Sequence, residues 1–98
     1  MFIIGINHAA YNTQYISCAR IVNETEERRD LDPTDTKEYY VIRLYFSNTK
    51  RDGSVVAAVF NDFEHAKANF EALMLAYDHE DKCFDFTGRI FNEDDYFS

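Results

Sequence analysis

Tryptophan is absent from the 98 residues, proline occurs once, cysteine twice and glycine three times. Gly5, Gly53 and Gly88 are too scattered to build a glycine-rich phosphate loop. Cys18 and Cys83 lack the C-x-x-C spacing of zinc and redox sites, and read as reduced, buried small apolar residues of an intracellular protein. No apolar run approaches the roughly 20 residues that span a bilayer. The opening MFIIGI is too short for a signal core and has no basic leader, so a cytoplasmic protein is expected. Basic side chains are the last deficit. Ten Lys and Arg face 18 Asp and Glu, a formal net charge of −8. A field of that sign repels nucleic acid and anionic membrane and attracts basic protein surfaces.

What is present fits one folded domain. Hydrophobic residues make up 46% and aromatics 16%, which suits a globular chain rather than a disordered one. At this length roughly 60–68% of the unfolded surface can be buried, enough for one core between a sheet and a helix. Nine Phe and seven Tyr exceed what one small core needs, so some rings are expected at the surface. The charge is uneven. Residues 1–59 hold 8 acidic and 7 basic side chains, and residues 60–98 hold 10 and 3, so nearly all the excess lies in the last two-fifths.

The pattern from Glu38 to Tyr77 reads as strand, turn, strand, helix. Tyr40, Ile42, Leu44 and Phe46 alternate with Tyr39, Val41, Arg43 and Tyr45, the first set predicting a core face. Asp52 and Gly53 suit the turn, and residues 55–60 return as a second strand with small alanines at its centre. Asn61 with Glu64 has capping-box spacing. Phe63, Ala66, Phe70, Leu73, Met74 and Tyr77 then form one apolar stripe of a helix over about 62–77. Glu64–Lys67 and Lys67–Glu71 have the spacing of pairs on its wet side. Phe2–Ile6, Gln14–Val22 and Cys83–Phe91 read as further strands, with room for a helical turn between the first two. Residues 23–38 read as a solvated charged loop around Pro33, and 92–98 as an acidic-aromatic tail. The expected fold is α+β: a mainly antiparallel sheet of four to five strands, with one amphipathic helix on one face.

One helix covers one face of such a sheet, so the other must be polar, paired or used for binding. Tyr39, Arg43 and Tyr45 are the candidates for that face. Catalytic chemistry finds little footing. His8, His65 and His79 have no nucleophile presented beside them, so no catalytic residue is assigned. The segment DHEDKC, residues 78–83, holds metal-ligand atom types without metal spacing. Cys83 stands where an EF-hand needs Gly and Arg89 where it needs Glu. Two N/S ligands there fall short of the four that structural zinc needs. No metal or cofactor is expected. The sheet also lacks the basic-Gly-aromatic run of RNA-binding sheets.

The acidic half is the sharper signal. Glu64, Glu71 and Asp78 recur every seven residues and share one helix face at ~10.5 Å intervals, with Lys67 interrupting them. Glu80, Asp81, Asp85, Glu93, Asp94 and Asp95 continue the display. Carboxylates two apart on a strand stand ~6.6 Å apart, close to the phosphate spacing of a nucleic-acid strand. In size, acidity and absence of catalytic motifs the chain resembles small phage- or mobile-element-encoded inhibitors, anti-CRISPR and anti-restriction proteins among them. That resemblance is one of composition. It implies a non-enzymatic inhibitor, made in the host cell if phage-encoded, that occupies the basic surface of a nucleic-acid-handling partner without binding nucleic acid itself. The alternative is an assembly subunit that dimerises or docks through the aromatic face of Tyr39, Arg43 and Tyr45.

Overall fold

A computed structural model describes residues 1–27, 36–47 and 53–87, and the side chains of 1–24, 39–47 and 53–87. The elements, in order, are β1 (Phe2–Ile4), β2 (Ala10–Asn12), a 3-10 turn (Thr13–Tyr15), β3 (Ile16–Glu27), β4 (Thr36–Phe46), β5 (Ser54–Phe60), α1 (Phe63–Asp78) and β6 (Cys83–Asp85). The fold is α+β, but the strands divide into two three-stranded sheets, β2-β1-β6 and β3-β4-β5, rather than one sheet of four or five. β1 runs antiparallel to β2 and parallel to β6, so residues from the two ends of the sequence meet side by side.

The two sheets touch where β5 bulges. On β4, Ile42 faces Ala58 and Arg43 faces Val56, which leaves Ala57 without a ladder partner. Its carbonyl accepts the backbone N–H of Ile6 at 2.9 Å. An unpaired buried backbone group would be costly, and the bulge hands it a partner from the other sheet. Small residues permit the approach: a Cβ built on Gly5 would stand 3.5 Å from the Ala57 Cα and 3.3 Å from the Tyr11 ring. The small alanine at the centre of this strand thus admits another backbone.

β3 is longer than its apolar alternation suggested. It pairs with β4 from Ile16 to Glu27, opposite Phe46 to Thr36. The expected loop of 23–38 therefore shrinks at both ends, and its centre at 28–35 lies outside the described residues. Antiparallel pairing with β4 overrides the polar character of these positions, because the ladder is made by backbone groups whatever the side chains. The turn at 48–52, the strand expected beyond Asp85 and the tail at 92–98 also fall, from residue 88 onward for the last two, outside the described residues.

The core gathers around β4 and β5. Ile42, Leu44, Ala58 and Phe60 are fully buried on one face, together with Ala66 and Leu73 of α1. Tyr40, on that same face, meets Phe63 of α1 edge-on with ring centroids 5.8 Å apart. Val41 and Val59 are fully buried on the opposite face, so β4 is covered on both sides there. Phe84 and Phe86 add a buried edge-to-face pair at 4.9 Å. Cys18 and Cys83 are both exposed, contrary to the expectation of burial: each sits on a strand position that alternates away from the core neighbours Ala19 and Phe84.

Candidate functional site

Helix α1 places most of the candidate residues, and its start fixes their phase. The N-cap is Asp62, one residue after the expected Asn61. Its Oδ1 accepts the backbone N–H of His65 at 2.8 Å, and its Oδ2 lies 2.5 Å from the His65 Nδ1. Asp outcompetes Asn here because a carboxylate answers both the orphan N–H groups and the positive end of the helix. The His65 backbone N–H, and after it the imidazole, hold the Asp62 carboxyl below its ordinary pKa.

At about 100° per residue, Ala66, Phe70, Leu73 and Tyr77 lie in one line. Ala66 and Leu73 are buried and Phe70 half-buried, as the stripe requires. Tyr77 keeps the phase but is 60% exposed. Phe63 and Met74, at the margin of the stripe, are also exposed, and Ala76 takes the remaining buried place. The stripe expected as one core surface is core in its middle and surface at its ends.

The acidic residues stand where sequence spacing put them. Glu64, Glu71 and Asp78 are exposed along one face of α1, and Glu80 and Asp81 are exposed in the turn that follows. Among the described residues none of these five makes an ion pair, and the expected Lys67 pairs do not form. Asp85 is exposed on β6, where its Oδ1 accepts from the Thr87 N–H at 2.8 Å and from the Thr87 hydroxyl at 2.5 Å. It closes a turn there. Glu93, Asp94 and Asp95 lie outside the described residues.

The turn after α1 is built tightly. The Asp81 N–H donates to the Ala76 carbonyl at 3.0 Å and the Glu80 N–H to the Tyr77 carbonyl at 3.1 Å, a Schellman closure. Such a closure needs a left-handed residue, usually glycine, and here Glu80 takes it with φ 60°. A carboxylate is thereby held in a strained backbone position beside Asp78 and Asp81.

Spacing alone missed the apolar residues among these acids. Leu75 is 60% exposed on the acidic face itself, four residues after Glu71 and three before Asp78, and Met74 is exposed beside it. The interval of Leu75 from Glu71 and Asp78 puts it at acidic-face phase, outside the core stripe.

The aromatic face expected opposite the helix does not exist as drawn. Tyr39 is 2% exposed, so it packs inside rather than meeting a partner. Arg43 is held by Glu24 and donates to the Ser54 hydroxyl at 3.0 Å. Tyr45 is half-buried beneath Arg20, whose guanidinium carbon lies 6.0 Å from the ring centre. The basic groups of this face are occupied within the chain.

Among the described residues no three His, Cys, Asp or Glu side chains converge on a metal position, and no helix is long and apolar enough to cross a membrane. Comparison with known protein families, with curated proteins and with solved structures yields no match.

Proposed function

We propose that this protein is a non-enzymatic binding module whose acidic helix occupies a basic, nucleic-acid-binding surface of a partner protein, as an inhibitor would. The observation that carries the reading is the company the acids keep. Glu64, Glu71 and Asp78, with no ion pair among the described residues, line the helix face that also exposes Leu75. A face kept only for solubility gains nothing from an exposed leucine, whereas interfaces join apolar anchors to a charged rim. The charges steer a basic partner inward, and Leu75 with Met74 supplies the apolar contact. Resemblance in composition to phage-encoded inhibitors points to nucleic-acid-handling enzymes as the partner class. Docking through Tyr39, Arg43 and Tyr45 loses its anchor, since Tyr39 is buried.

The test is capture from lysate on the immobilised protein, with the bound proteins identified and compared against a Glu71→Lys/Asp78→Lys variant. The expected result is retention of basic nucleic-acid-handling enzymes at ~0.1 M salt and their release at ~1 M, where the screening length falls from ~10 to ~3 Å. The charge-reversed variant should retain none of them. Identical capture by both proteins would overturn the proposal.

A further inference from the structure

A second feature lies beside the acidic ridge, where α1 crosses the start of β3. Leu73, Met74 and Tyr77 form one wall of a cleft of about 220 Å³, and Ile16, Cys18 and Ala19 belong to the other. That volume is below the ~300–1,000 Å³ typical of small-molecule sites, and it suits a single side chain better than a cofactor. Its lining is mainly apolar. Beside the cleft lies a wider basin of about 450 Å³ lined by Asp78, Glu80 and Asp81, and Met1, Thr13 and Tyr77 border both. An apolar slot and a triple-carboxylate basin thus share one wall.

We infer that the two form a single docking groove for an extended basic protein segment carrying one apolar side chain. The inference rests on the protein-binding reading and names the partner's local chemistry. The apolar side chain enters the slot between α1 and β3, and neighbouring Lys or Arg side chains meet the basin. Charge decides the occupant. A second copy of this chain would bring another −8 field against the three carboxylates, and like charges set together oppose docking. Small apolar ligands would leave the basin unanswered. Only a segment that is basic and apolar at adjacent positions satisfies both compartments.

The test compares two fluorescein-labelled hexapeptides of Lys and Arg, one with a central Leu and one with a central Ser, by fluorescence anisotropy at low salt. The Leu peptide is expected to bind about tenfold to a hundredfold more tightly, the worth of burying one such side chain. Met74→Ser, which strips an exposed wall of the slot, should narrow that ratio towards one. Ala19→Leu, which fills the slot from the opposite strand, should narrow it as well. Asp81→Lys should weaken both peptides. Equal binding of the two peptides to the unmodified protein overturns the groove and leaves the acidic-ridge proposal standing. Failure of both peptides to bind at low salt overturns both. Dimerisation that Met74→Ser abolishes assigns the slot to a second copy and overturns the basic-segment inference.

Discussion

Leu73 and Leu75 lie two residues apart on one helix and differ in almost nothing but environment. Leu73 is 1% exposed and packs in the core, whereas Leu75 is 60% exposed on the acidic face. The same substitution to Ala therefore isolates burial. At Leu73 it removes a fully buried side chain and leaves a cavity, which costs roughly 2.7–5 kcal/mol. At Leu75 only about two-fifths of the usual ~1.5–3 kcal/mol burial term is at stake, and alanine's slightly better helix propensity offsets part of it. A loss of about 1 kcal/mol or less is expected there. With a ΔTm of about 4–8 °C per kcal/mol for a domain near this size, Leu73→Ala should melt at least ~10 °C lower, and Leu75→Ala only a few degrees lower. Urea denaturation followed by circular dichroism measures both, and a common m-value licenses the comparison. Equal losses would refute the placement of α1 and, with it, the claim that Leu75 is free for a partner.

Two further outcomes follow from the ends of α1. Asp62→Ala should lower stability at neutral pH, while Asn61→Ala should leave it nearly unchanged, because Asp62 is the cap. The Asp62 carboxyl is depressed in the folded state, so its contribution is present above the ordinary carboxylate range near pH ~4. It is lost as pH falls through the lower folded value, and denaturation at pH 7 and below pH ~3 should show the gap between parent and Asp62→Ala shrinking. At the other end, Glu80→Gly should raise stability by about 1 kcal/mol, since an L-residue in the left-handed region costs roughly that much and glycine does not. Thermal melts would show a gain of several degrees, and a loss would mean that the strain is not there.

Much of the architecture was readable because it rests on local signals. The 3.6-residue period over 63–78 and the two-residue alternation of β4 each survive into the structure. The parting of the strands into two sheets was not readable. It depends on β1 pairing with β6 across the length of the sequence, and on a bulge at Ala57 whose carbonyl takes the Ile6 N–H. Neither leaves a periodic trace. Tyr39 was misplaced for a related reason. Alternation showed which side of β4 it faces, but not that this side is also covered at that end, as the full burial of Val41 and Val59 makes plain.

The candidate site was half legible, and the missing half has one physical cause. Charged residues declare themselves from sequence, because burying an unpaired carboxylate is too costly for Glu71 or Asp78 to be anywhere but outside. Apolar residues make no such declaration, since much of any protein surface is apolar. Phase alone assigned Tyr77 to the core, and it does share the line of Ala66 and Leu73. Its exposure is a matter of which neighbours reach it: it borders open clefts with Met1 and Thr13, whereas Ala76 beside it is buried. The acidic ridge is thus a property of the helix alone, while the slot beside it belongs to the contact between helix and strands. A charge reversal on the ridge and a plug at Ala19 therefore act on separable terms, steering in one case and the seating of a side chain in the other.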